Sequence, residues 1–187
     1  MEQVKIILFV LGTFFGINNS KIGAEKTTVI IDPKKEQVEI IYENLVSFIK
    51  SETDKNLILE QWYQLNNMKG EKRSWAKELD NFSNKKITFT TEENRIEAHL
   101  ILNYVNIEDL RVIGVDYNSD KNQFSIYNNS RYNINSMSGK LVEGYWQFNN
   151  SKFSFTIEPF LQMSEYYKKL KKPLINLILM DAKKDSK

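Results

Sequence analysis

Residues Ile87–Leu100 read ITFTTEENRIEAHL, and this stretch decides the fold class. A two-residue turn at Glu93-Asn94 sets Glu92 against Arg95. It then places Thr91 opposite Ile96, Phe89 opposite Ala98 and Ile87 opposite Leu100. One face is apolar, while Thr90/Glu97 and Thr88/His99 point the other way. A slip of one residue would bury the polar set, so the pattern pins the register of an antiparallel hairpin.

The same test applies downstream. In EGYWQFNNSKFSFTIE, Glu143–Glu158, a turn at Asn150-Ser151 pairs Phe148 with Phe153, Trp146 with Phe155 and Gly144 with Ile157, all facing inward. In VIGVDYNSDKNQFSI, Val112–Ile126, Val115 pairs with Phe124 and Ile113 with Ile126. Three hairpins in series predict an α+β fold, with a meander-like antiparallel sheet of about five to eight strands and a few short helices. A C-terminal helix over Leu161–Lys172 covers the sheet with Leu161, Tyr166 or Tyr167, and Leu170. The apolar tail PLINLILM, Pro173–Met180, either packs back as a closing strand or helix or docks on a partner through Leu174, Leu177 and Ile178.

The first part of the chain is more mixed. Thr27–Ile31 is β-prone and ends at Asp32-Pro33. Val38–Ile49 fits either period, and a hairpin turning at Asp32–Gln37, followed by a short helix near Leu45–Lys50, is the preferred reading. Leu57–Leu65 and Trp75–Phe82 read as short helices. At the N-terminus, Ile6–Ile17 is uncharged (IILFVLGTFFGI). It follows a head with Lys5 and precedes the polar NNSKIGA, which is the layout of a secretory signal peptide with a cleavage point at Ala24. The alternative is a core strand or helix. The run is shorter than the about 20 apolar residues that span a bilayer. The expected organisation is therefore a signal peptide over 1–24 and one globular domain over 25–187: a mixed part over 25–83, β hairpins over 84–160, and the C-terminal helix and tail over 161–180. The expected location is a bacterial envelope, periplasmic or secreted, with no membrane span in the mature chain.

Composition narrows the function. The 187 residues contain no Cys, which removes thiol nucleophiles, Fe–S sites and Cys-based zinc sites. Lys and Arg number 26 against 24 Asp and Glu, interspersed along the chain. That is not the basic footprint of a nucleic-acid binder. His99 is the single histidine, which leaves histidine triads and multi-histidine metal sites little to work with. No G-x-S-x-G elbow, phosphate-cradling loop or dinucleotide fingerprint occurs.

Two constellations could carry chemistry. The Asn150-Ser151 register would put Glu143 opposite Glu158, Tyr145 opposite Thr156, and Gln147 opposite Ser154 on the outward face. Such a strip suits a sugar or a carboxylate pair, and its plainer reading is an ordinary solvated strand face ending at Pro159. Asp116, Asn118, Asp120 and Asn122 spell D-x-N-x-D-x-N, the first half of a calcium loop. The match then breaks, with Lys121 where Gly is needed and Tyr127 where a bidentate Glu is needed. Turn residues explain it equally well, so no cofactor is expected beyond a loosely held Ca²⁺. The expected function is an exported, non-catalytic binding or interaction domain with a protein or glycan partner. The alternatives are a carbohydrate-binding or carbohydrate-active protein using Glu143, Tyr145, Gln147, Thr156 and Glu158, or a carrier of an apolar ligand between sheet and helix.

Overall fold

A computed structural model of the chain describes residues 6–66 and 74–184. The elements, in order, are β1 (Ile22–Asp32), β2 (Gln37–Phe48), α1 (Glu52–Asn66), β3 (Phe82–Glu92), β4 (Arg95–Tyr104), β5 (Val115–Asn118) and β6 (Gln123–Tyr127). There follow β7 (Ile134–Asn135), β8 (Lys140–Val142), β9 (Tyr145–Asn149), β10 (Phe153–Ile157), α2 (Glu165–Leu170), β11 (Lys171–Pro173) and α3 (Leu174–Lys184). They form two antiparallel sheets. The larger runs β3-β4-β2-β1-β10-β7, with β11 also pairing with β2, and the smaller runs β5-β6-β9-β8.

The β3–β4 hairpin has the register expected from the sequence, from Glu92↔Arg95 to Ile87↔Leu100. Alternation is equally clear in its neighbours. Thr27, Val29 and Ile31 of β1, Val38, Ile40 and Tyr42 of β2, and Ile96, Ala98, Leu100 and Leu102 of β4 are all buried. The residues between them are only half-buried, so one face of the large sheet meets the core and the other meets solvent.

The β1–β2 hairpin also turns where expected, with Asp32↔Gln37 as its last pair. The Asp32 carboxylate accepts the Lys34 N–H at 3.2 Å, the local bond that makes Asp a turn former. The helix expected near Leu45–Lys50 does not form, because β2 continues to Phe48 and pairs with β11 through Val46–Phe48. Ser51 Oγ instead accepts the Asp54 N–H and caps α1, one residue before the helix begins. The Trp75–Phe82 segment is a single 3-10 turn at Lys77–Leu79 before β3.

The second expected hairpin is corrected. β9 and β10 do not pair: β9 lies between β6 and β8 in the small sheet, and β10 between β1 and β7 in the large one. Of the expected inward set, Phe148, Phe153, Phe155 and Ile157 are buried and Trp146 is partly buried, whereas Gly144 is exposed in the turn that precedes β9. The phenylalanines meet across the two sheets, with Phe148 stacked on Phe153 at 4.3 Å and Phe124 against Phe153 at 5.1 Å. The third hairpin forms with its register moved by two residues, so that Val115 pairs with Ile126 and Tyr117 with Phe124. A shift of two preserves the faces, and the longer loop is closed by the Lys121 N–H donating to Asn118 Oδ1 at 2.9 Å and by Asn122 at φ 48°.

The N-terminal stretch is core in this structure. Ile6, Leu8, Leu11, Phe14 and Phe15 are buried around a 3-10 helix at Leu11–Phe15. The Ala24 N–H donates to Phe9 O and the Ala76 N–H to Phe14 O. Phe14 meets Tyr42 edge-on, and Phe15 stacks on Trp75 at 4.7 Å. The expected cleavage point, Ala24, lies inside β1 and is fully buried. Where the sequence suggests a removable leader, the structure has a folded element. Its expected basic head, residues 1–5, lies outside the described residues.

The C-terminal part also departs from expectation. The single helix over Leu161–Lys172 is replaced by the short α2, the strand β11 and then α3. Leu161, Tyr166 and Tyr167 are exposed rather than packed on the sheet. The apolar tail closes the core as a helix, with Leu174, Ile175 and Leu177 buried. No helix among the described residues is long and apolar enough to cross a membrane.

Candidate functional site

The residues expected to form a Glu/Tyr/Glu strip are taken apart by the sheet assignment. Glu143 sits with Gly144 in the two-residue turn between Val142 and Tyr145, at φ 49° and 83°, the signs that a type I′ hairpin turn requires. Tyr145 and Gln147 lie on the small sheet, while Thr156 belongs to the large sheet and Glu158 follows its β10 strand. Glu143 and Glu158 therefore do not face each other across a strand pair. In the loop read as half a calcium site, Asp116 is paired with Arg111 at 3.2 Å and Asn118 accepts from the backbone of Lys121. Asn122 accepts from the Tyr117 hydroxyl and from Asn150. Asp120 lies exposed at the loop tip. Among the described residues, no cluster of three or more His, Asp or Glu side chains is placed to hold a metal ion. Leu174 and Leu177 are buried and Ile178 packs partly buried against the core, so these three do not offer a docking face.

A concave surface lies elsewhere, where β2 changes partners. Its pairing with β4 ends at Tyr42↔Ala98, and its pairing with β11 begins at Val46↔Pro173. Between them Asn44 adopts a left-handed conformation, φ 53°, in the middle of a strand of 12 residues. Asn tolerates this better than most residues. A depression of about 390 Å³ opens there. Strict alternation would send Glu25 and Asn44 to the face opposite Lys26 and Glu43, yet all four line it. Lys171, Arg95 and Glu158 complete its polar rim, and Phe160 and Leu161 form an apolar wall. A second depression, of about 710 Å³, shares Asn44 and Arg95 and adds Glu92, Glu93 and Asn94.

The charges in the first depression are organised in pairs. Lys26 Nζ lies 2.8 Å from Glu43, and Lys171 pairs with Glu25 while resting 5.1 Å above the Phe160 ring. Asn44 Nδ2 donates to Glu25 at 2.6 Å. Burial pushes the Glu25 carboxyl up, but the hydrogen bonds from Lys171 and Asn44 outweigh it and hold the group below its ordinary value. The hydrogen bond to Glu43 raises Lys26 against the opposing effect of burial, with the charges of Glu43 and Glu158 adding to the rise. One acceptor has no partner: Asn44 Oδ1 is buried and unbonded.

A second exposed surface is the outer face of the small sheet. Tyr127, Tyr145 and Val142 form one row across three strands, with Tyr127 61% and Tyr145 39% exposed and their rings edge-to-face at 5.5 Å. Asp116, Ser125, Gln147 and Lys140 form the next row. His99 stands opposite Thr88 on the solvent face of the large sheet, as expected, with Nε2 2.7 Å from Glu39. The space between that sheet and the helices is occupied by Phe14, Tyr42, Trp62 and Phe89 in edge-to-face contact, which takes support from the apolar-carrier reading.

Comparison with protein-family models, with curated proteins and with solved structures finds no match to this chain in any of the three.

Of the candidate ligand, metal and docking residues named from the sequence, Glu158 alone lines the depression. The pair Lys26/Glu43 was open to discovery, because the turn at Asp32–Gln37 implies the register that sets them opposite each other. Lys171 was not, since β11 joins β2 from the far end of the chain.

Proposed function

We propose that this protein is a non-catalytic binding domain whose ligand site is the depression at Asn44. The observation that carries this is the left-handed Asn44 inside a long strand, with its side-chain oxygen buried and unpaired. Backbone strain and an unsatisfied acceptor each cost on the order of 1–3 kcal/mol. Both fall where two depressions meet. The rim is held by ion pairs from four separate segments, which favours a site organised before its ligand arrives.

The test is a thermal-shift screen of the full chain against glycans, divalent cations, lipids, nucleotides and charged metabolites, repeated on Asn44→Gly. Glycine keeps the positive φ and deletes the amide. A ligand that raises Tm in the parent protein and not in the variant supports the reading. Ligands whose effect survives the substitution refute this location.

The row Tyr127–Tyr145–Val142 favours a second reading, in which the small sheet presents a stacking surface to a glycan. A glycan shift abolished by Tyr145→Ala and untouched by Asn44→Gly would select it. Export belongs to the proposal only with residues 6–24 retained, since they fill the core. Sequencing the N-terminus of the natural protein decides this.

A further inference from the structure

We infer that the outer face of the small sheet binds an acidic glycan, a chain of pyranose units that carry carboxylates. The inference rests on the second reading above, in which this face meets a glycan. Alternation places side chains there in rows. Next to the row of Tyr127 and Tyr145 stand Gln147 and Lys140, and beyond them Gln123 and Asn149. Successive rows on one face of a strand lie about 7 Å apart. A sugar chain running along β6 and β9 therefore meets two rings, then an amide and a cation, then two amides.

The solvent faces of the two sheets differ in how their polar groups are used. On the large sheet, Lys26 with Glu43, His99 with Glu39 and Arg95 with Glu97 tie side chains to one another. On the small sheet, the side chains of Gln123, Gln147, Asn149 and Lys140 and the two tyrosine hydroxyls bond to no other side chain or backbone group among the described residues. Each amide offers both a donor and an acceptor, the combination that neighbouring sugar hydroxyls take up, and the tyrosine rings suit the apolar face of a pyranose. Charge then selects among glycans. The acid on the row of Lys140, Asp116 on β5, is held by Arg111 at 3.2 Å. Glu143 lies in the turn beyond the tyrosine row, and no ion pair joins it to Lys140. Beside a neutral chain the exposed Lys140 ammonium stays hydrated and contributes nothing. A sugar carboxylate on the second row meets it in a charge-assisted contact.

The experiment is a titration of the full-length protein followed by backbone amide NMR. The probes are trigalacturonate, its monomer galacturonate, neutral cellotriose and, as an anion that is not a sugar, triglutamate. Trigalacturonate should shift the amides of Tyr127, Tyr145 and Gln147. It should bind more tightly than galacturonate, because it reaches more than one row, and its affinity should fall with added salt. Lys140→Met should weaken it roughly tenfold, the loss of one charge-assisted contact, and leave cellotriose unchanged. Tyr145→Ala should weaken both sugars and Asn44→Gly neither. If cellotriose binds as tightly as trigalacturonate and Lys140→Met changes neither, the acidic class is overturned while the glycan reading stands. If triglutamate matches trigalacturonate, or if no probe moves these amides, both fall.

Discussion

Removing residues 1–24, the cut a signal peptidase would make at Ala24, should unfold this protein. The cut deletes Ile6, Leu8, Leu11, Phe14, Phe15 and Ile22, each at most 9% exposed. Burying one such side chain contributes about 1.5–3 kcal/mol, so the set contributes on the order of 9–18 kcal/mol. Realistic unfolded chains lower such sums by roughly 10–40%. A domain's whole stability is about 5–15 kcal/mol. The cut also removes the pairs Ile22↔Ser47, Gly23↔Val46 and Ala24↔Leu45 at one end of the β1–β2 ladder. The assay is urea unfolding of the full chain, of residues 25–187 and of Phe14→Ala, read by tryptophan fluorescence and far-UV circular dichroism. Phe14→Ala should lose about 3–5 kcal/mol, and Phe15→Ala should shift the emission of Trp75, on which Phe15 stacks. A 25–187 fragment that unfolds cooperatively at the full chain's midpoint would refute the core assignment and restore the leader reading.

Three further outcomes follow from the same structure. Tyr42 is fully buried and its hydroxyl has no partner, so Tyr42→Phe should stabilise the protein by about 1 kcal/mol, raising Tm by roughly 2–4 °C; a fall in Tm would show that a bound water or ligand holds the hydroxyl. Truncation after Lys172 removes Leu174, Ile175 and Leu177 from the core, together with the Asp181 carboxylate that accepts from Tyr63 at 2.5 Å. It should therefore abolish cooperative melting, and an intact fold would return the tail to a docking role. The Glu25 carboxyl is held below its ordinary value of 4.5 in the fold, so its ionised form stabilises the protein above that value. The contribution is lost as pH falls through the lowered value. Glu25→Gln should flatten the decline of Tm in acid, and an unchanged slope would remove Glu25 from the acid response.

The limits of sequence reading follow from the range of each interaction. The β3–β4 hairpin was legible from its turn to Ile87↔Leu100 because turn, alternation and partner strand all lie within that stretch, where period two and a two-residue turn leave one register. Its outer end, irregular between Ser83 and Lys86, was not. The third hairpin kept its faces but not its register, because loop length depends on Asn118 and Asn122 bonding within the turn. In Glu143–Glu158, alternation showed that Phe148, Phe153, Phe155 and Ile157 face inward, though not that Gly144 lies in a turn. It could not show that Phe148 meets Phe153 across two sheets rather than along one ladder, since both arrangements need the same pattern. The Glu143/Glu158 pair failed with that ladder.

Ile6–Ile17 has one composition and two destinies, a leader or a core element, and only its packing on Tyr42 and Trp75 separates them. The depression at Asn44 lies at the far end of this scale. It exists because β4 and β11, separated in sequence by the whole small sheet, leave one edge of β2 open between Tyr42 and Val46, while Glu43 and Leu45 stay paired with β1 on the other edge. An antiparallel α+β fold and the inward face of most strands follow from local hydrophobic periodicity. The tertiary structure decided which strands became neighbours, and with that which charged side chains meet around Asn44, because those contacts join segments far apart in the chain.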